Sequence, residues 1–203
     1  MLRNRKPNRM KGYDYSQDNL YFVTSCVQDR ICCFGTIANG KMELNEYGKI
    51  AEEQWHWLGK QYPYIVLHEF VVMPNHIHGI IEINRSLVGI NHVGTGRNVG
   101  TGRDLSLQQQ PIKIKSLSEL MGAYKTTSSK KIHLLECMDE SYPDESCRDR
   151  SRPVPTRHGH TNTFQWQRSF HDHIIRDEKS FETISNYILN NPTQWKTDKF
   201  YNL

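Results

Sequence analysis

The segment IVLHEFVVMPNHIHGIIEI, residues 65 to 83, limits the fold of this chain more than any other stretch. Two runs rich in β-branched and aromatic residues flank Pro74-Asn75, and so short a link between strand-like runs makes an antiparallel hairpin. Side chains alternate between faces along a strand, so His76 and His78 share one face while Ile77 enters the opposite layer. The hairpin therefore fixes a sheet and also presents two imidazoles side by side.

The rest of the chain supplies partners for that sheet. LYFVTSCVQ at 20 to 28 reads as a strand, and the Asn-Gly pair in CCFGTIANGKMELNE marks a turn. From Asn45 to about Lys60 apolar residues recur at Tyr47, Ile50, Ala51, Trp55 and Leu58, close to helical spacing. A second helix is predicted over residues 113 to 136, through Ile114, Leu117, Leu120, Met121, Tyr124, Ile132 and Leu135. FQWQRSFHDHII at 164 to 175 reads as a strand, and EKSFETISNYILNNP as a helix ended by Pro192.

Between these elements lie two stretches without periodicity, predicted to be flexible inserted loops at 85–111 and 137–163; the first contains the tandem hexamer VGTGRN, VGTGRD. The element order suits an α+β fold, a ferredoxin-like or RRM-like split βαβ antiparallel sheet with helices on one face and two long loop insertions. A length of 203 residues fits one domain, 1–203.

Lys and Arg number 26 against 22 Asp and Glu, a net charge of +4 that leans towards an anionic partner. No run approaches the roughly 18 apolar residues of a membrane span, and the basic N-terminus has no apolar core for a signal peptide. The expected location is the cytoplasm, in association with the nucleoid. The five cysteines are odd in number and include no CxxC, which indicates neither a disulfide framework nor a zinc knuckle, so they read as reduced thiols.

Neutral imidazoles bind divalent metals, and two on one strand face supply two ligands while leaving positions open. An isolated HxH is explained as well by partly buried polar residues at a sheet edge. On the last helix Tyr187 and Asn191 are four apart and therefore neighbours, so an amide oxygen there could complete a metal site and a phenol could attack a phosphorus atom beside it. A phenol of pKa near 10 needs such help, because it is a poor nucleophile until the phosphate is neutralised.

MPNHIHGII in the hairpin, WQRSFHDHIIRDE on a later strand and NYILNNPTQW on the last helix together resemble the REP-associated tyrosine transposases, within the HUH single-tyrosine transposase superfamily. GYDYS and YFVTSCVQDR near the start resemble that family too. The resemblance implies that His76 and His78 are the metal pair, Tyr187 the nucleophile and Asn191 the polar residue that joins the histidines at Mg2+ or Mn2+. It implies a transposase and endonuclease that cleaves and rejoins single-stranded DNA, from hairpin-bearing REP-like repeats, through a 5′-phosphotyrosine. The protein would act as a monomer or a homodimer.

The second pair, His171 and His173, is read as structural or substrate-facing, and Tyr124 is a rival tyrosine set among lysines. For DNA binding the N-terminal arm offers Arg3, Arg5, Lys6, Arg9 and Lys11, and the middle helix adds Lys125, Lys130 and Lys131. Tyr13, Tyr15 and Trp166 are candidates to stack unpaired bases. The alternative reading is a non-catalytic single-stranded nucleic-acid-binding module with the same fold. A hydrolytic metallonuclease would instead need Glu69 or Glu82 as a general base.

Overall fold

The computed structural model describes residues 9–89, 112–138 and 164–201. Its elements run β1 (Asn19–Cys26), β2 (Gly35–Ala38), β3 (Lys41–Leu44), α1 (Glu46–Gln61), β4 (Ile65–Met73), β5 (His76–Ile83), the single turn α2 (Ser86–Gly89), α3 (Leu117–Met138), β6 (His171–Ile175) and α4 (Glu178–Asn190). Four strands make one antiparallel sheet in the order β4-β5-β1-β6, and β2 and β3 form a separate hairpin. The α+β class expected from the element order holds. The predicted loops fall on residues that lie almost wholly outside those described.

Local chemistry sets the boundaries. Asn39 and Gly40 turn the β2–β3 hairpin with φ of 51° and 72°, the left-handed pair that an Asn-Gly turn requires. Asn45 caps α1 by accepting the Gly48 N–H at 3.0 Å, and Asp177 caps α4 through the Ser180 N–H at 2.8 Å. Pro192, which has no N–H to continue the helix, follows directly on the end of α4, and the chain tightens into a 3-10 turn at Asn191–Thr197. The last predicted strand is shorter than its sequence suggests: only His171–Ile175 pairs with β1, while Trp166 makes one isolated bridge to Val27.

The two faces of the sheet divide the work. On one, Tyr21, Val23, Ile77 and Ile81 bury themselves with Ala51, Trp55 and Leu58 of α1 and Leu120, Met121 and Tyr124 of α3, and this is the main core. Gly79 lets the layers close, since a Cβ there would lie 2.4 Å from the Trp55 ring, which stacks on Phe70 at 4.5 Å. On the other face α4 lies across the sheet, an addition to the expected one-faced arrangement, with Ile188 packed on Ile80 and Ile175. That second face carries His76 and His78. Cys26, Cys32 and Cys33 are free thiols, whereas Cys137 is disulfide-bonded, a departure from the all-reduced reading that no sequence spacing signals. Among the described residues no helix is long and apolar enough to cross a membrane.

Candidate metal and tyrosine site

His76 and His78 are fully buried at the start of β5, opposite Cys26 and Thr24 of β1. Their Nε2 atoms converge to 3.0 Å. Each ring is oriented through its other nitrogen. The Asn75 amide N–H groups donate to the carbonyls of Arg30 at 3.1 Å and Phe200 at 2.9 Å, which leaves Asn75 Oδ1 to accept from His76 Nδ1 at 2.8 Å. His76 therefore keeps its proton on Nδ1 and turns its Nε2 lone pair towards His78 Nε2. Thr24 Oγ1 holds His78 Nδ1 at 2.8 Å.

From the other side α4 brings Tyr187, whose Oη lies 3.2 Å from His78 Nε2. Tyr187 is 37% exposed, and so is the member of the group that an incoming strand can reach. Asn191, one turn on, is buried; its Nδ2 donates to Asp198 Oδ2 at 3.1 Å, while its Oδ1 has no hydrogen-bond partner. Asp198 is the residue that sequence reasoning missed. It follows the 3-10 turn, accepts the Tyr187 hydroxyl at 3.4 Å and the Phe200 N–H at 2.6 Å, and completes a group with His76 and His78 whose ligand atoms all lie within 4.8 Å. No periodicity links Asp198 to the helix before it; only its acidic type, so close after the Tyr187 helix, could have pointed to it.

The electrostatics suit a metal-binding pair. Burial, with Lys199 and Arg30 adding to it, pushes the His76 imidazole down to about 3, and burial with the neighbouring His76 holds His78 well below the ordinary histidine value. Both rings are thus neutral at physiological pH, the state in which imidazole ligates. Burial followed by the Asp198 carboxylate pushes the Tyr187 phenol up to about 12, against a lowering hydrogen bond from Asn191. Two imidazole nitrogens and a carboxylate oxygen grouped within 4.8 Å, with the unpartnered buried amide oxygen of Asn191 on the neighbouring turn, are a donor set that fits a divalent cation.

The other candidates are placed as follows. Tyr124 is fully buried on the far side of the sheet, donates to the Ala51 carbonyl at 3.2 Å, and is a core residue. Trp166 is also core, donating to Ser128 Oγ at 2.9 Å, and Tyr15 is buried, so neither offers a free ring to a base. Tyr13 is half-buried, with its hydroxyl 3.4 Å from that of Tyr21. His171 and His173 are exposed on β6, in register with Thr24 and Phe22 and hence on the His78 face. Glu69 accepts from Ser185, and Glu82 engages His68 and Asn84, so the general-base candidates are occupied elsewhere.

The lysine expectation needs correction. Lys125 turns its ammonium inward to the carbonyls of Gln167 at 2.8 Å and Ser169 at 2.9 Å, and so fixes the approach to β6. Lys130 and Lys131 are exposed, Lys131 beside Glu53, but α3 packs on the face opposite the histidines and they do not adjoin the site. Arg9 is tied to Ser118, to Asp172 at 3.8 Å and to the Phe170 ring at 4.7 Å. Lys11 is exposed. Arg3, Arg5 and Lys6 lie outside the described residues.

A protein of Haemophilus influenzae described as uncharacterised is 30% identical over 201 residues, covering 98% of this chain and 94% of its own length. The chain belongs to that protein's family. Membership extends nearly end to end, across both sheet faces and the site. No family model matches the chain. Among solved structures the chain is similar to a REP-associated tyrosine transposase bound to a REP hairpin, at 15% identity and a TM-score of 0.48 over 98% of this chain and 77% of that one. It is also similar to a transposase candidate from Deinococcus radiodurans r1, at 14% identity and a TM-score of 0.41 over 90% and 95%.

Proposed function

We propose that this protein is a metal-dependent tyrosine transposase, an endonuclease that cleaves and rejoins single-stranded DNA from hairpin-bearing repeats through a 5′-phosphotyrosine. One observation carries the reading: an accessible tyrosine hydroxyl 3.2 Å from a buried histidine nitrogen that is itself 3.0 Å from its partner's. A core tyrosine would have no reason to point its hydroxyl at a neutral, oriented imidazole. The motifs that resemble the REP-associated family fall on these same residues.

His76, His78 and Asn191 would hold Mg2+ or Mn2+, with Asp198 close enough to add a carboxylate oxygen. Such an ion, when bound, supplies the positive charge that lowers the cost of negative charge gathering on the phosphoryl oxygens. Asn75 and Thr24 hold the two imidazoles in orientation, so little ordering is left to do when a ligand arrives. Tyr187 presents Oη at the mouth of the site. Its proton passes to Asp198 and from there to solvent, Oη forms a bond to phosphorus, the bond from phosphorus to the 3′ oxygen breaks, and that oxygen takes up one proton from solvent to leave as a hydroxyl, so no net proton is gained or lost. The downstream strand stays on Tyr187 as a phosphotyrosine. Reversal joins strands, and neither direction consumes ATP or water.

The ends of the products test this. With Mg2+ or Mn2+ and a single-stranded oligonucleotide from the organism's own repeats, the upstream product carries a polymerase-extendable 3′-hydroxyl and the downstream product resists an exonuclease that needs a free 5′-phosphate. A downstream product digested at once contradicts the reading and marks hydrolysis.

A further inference from the structure

We propose that Arg30 and Lys199 form a two-cation grip for a DNA phosphate neighbouring the one that Tyr187 attacks. The inference rests on the function proposed above and gives a role to two residues, Arg30 and Lys199, to which the sequence reading assigned none.

The geometry is built around one ring. Phe200 lies beside both histidines, with centroid separations of 4.6 Å from His76 and 6.0 Å from His78. The Arg30 guanidinium sits 5.3 Å from the Phe200 centroid and the Lys199 ammonium 4.7 Å from it. Two positive groups thus flank the aromatic wall of the candidate metal site. Among the described residues neither is in an ion pair, although Arg9, Lys49, Arg85 and Lys131 all are. Both cations thus lie against one ring beside the candidate site, and a phosphate arriving there is attracted by both.

The site is also fixed in place. Asn75 is fully buried, and its single amide group holds the carbonyl of Arg30, the carbonyl of Phe200 and the ring of His76. Arg30 Nη1 reaches the Lys199 carbonyl at 3.4 Å, linking the two segments a second time. Asp29 and Arg30 both adopt φ of 55°, a left-handed conformation that side chains with a Cβ rarely take. Two such residues in succession cost energy that the surrounding contacts offset, and they bring the arginine to the Phe200 wall. The Asp198 carboxylate next to Lys199 is engaged by Tyr187, Asn191 and the Phe200 N–H, and among the described residues it forms no ion pair with either cation.

A phosphodiester is the ligand that this arrangement fits. The guanidinium offers a planar donor fork and the ammonium a point charge, and successive phosphates of a single strand pass within reach of both as the strand enters at Tyr187. Neither group touches the reacting atoms. They position the strand.

The test compares wild type with Arg30→Gln/Lys199→Gln and with a control, Lys130→Gln/Lys131→Gln, on the opposite face. Fluorescence anisotropy of a labelled single-stranded oligonucleotide without a hairpin is followed over a range of salt. The grip predicts that the plot of log affinity against log salt becomes shallower by about 0.7 in the first variant, the value for one phosphate contact on a single strand, with binding about tenfold weaker. The control changes neither, and Arg30→Lys/Lys199→Arg recovers the slope. Circular dichroism melting checks that each variant is folded. If the folded Arg30/Lys199 variant shows the wild-type slope while wild type binds and cleaves, the grip is overturned alone. If wild type shows no salt-sensitive binding, the proposed function and the grip fall together.

Discussion

Asn75 Oδ1 accepts a hydrogen bond from His76 Nδ1 at 2.8 Å, while the same amide group donates to two backbone carbonyls. One residue at the hairpin turn therefore sets the tautomer of a candidate metal ligand and ties two distant segments to it.

Replacing Asn75 with Ala removes all three bonds and strands buried polar groups. Each such group costs about 1–3 kcal/mol, so a loss of about 3 kcal/mol in urea unfolding is expected. Binding of Mn2+, read by titration calorimetry on the folded fraction, weakens at least tenfold as the His76 ring loses its orientation. A variant with wild-type stability and wild-type Mn2+ affinity would remove Asn75 from this role.

Asp198→Asn keeps the shape of the side chain and removes its charge. The expectation is weaker Mn2+ binding, by about tenfold, because the carboxylate lies in one group with the two imidazoles. The phenol of Tyr187 also loses the negative neighbour that raises it, so its titration, followed by absorbance in the metal-free protein, moves down from about 12. No change in either readout would place Asp198 outside the site.

The metal-free protein carries a definite pH dependence. His76 takes up a proton near 6.5 when unfolded but only at about 3 when folded, so between those values the unfolded chain binds more protons. Stability is complete above pH 6.5 and is lost as pH falls from there towards 3, at a limiting rate of about 1.4 kcal/mol per pH unit for this group. Thermal melting of wild type between pH 7 and 4.5 should decline, and His76→Asn should decline less steeply. Parallel curves would contradict the assignment.

Gly79→Ala tests the packing of the opposite face. A methyl at 2.4 Å from the Trp55 ring and 3.0 Å from Phe70 forces the stacked pair apart, and about 2 kcal/mol of stability is expected to go, measured by chemical denaturation.

What could be read from the sequence follows the range of each interaction. His76 with His78, and Tyr187 with Asn191, are pairs set by the period of a single strand or helix, so their shared faces were visible. The β4–β5 hairpin and the Asn-Gly turn were visible for the same reason. Asp198, Arg30 and Thr24 were not, because their roles depend on a sheet that sets β1 against β5 and on a chain that folds back beyond Pro192. Lys125 was misread because periodicity tells which residues share a face of α3 but not that its ammonium finds two carbonyls 42 and 44 residues away. The placement of α4 on the histidine face likewise has no local signal, since a helix with one apolar stripe packs equally well on either side of a sheet.

The most direct measurement is denaturing electrophoresis of the protein after incubation with Mg2+ or Mn2+ and a 3′-labelled single-stranded repeat oligonucleotide, wild type beside Tyr187→Phe. The account predicts a labelled covalent adduct that needs the metal, maps to Tyr187 by mass spectrometry, and is absent in the variant although the variant still binds DNA. An adduct that persists in Tyr187→Phe, or DNA binding by wild type with no adduct under any metal, would contradict it and leave His76 and His78 as buried structural residues of a binding protein.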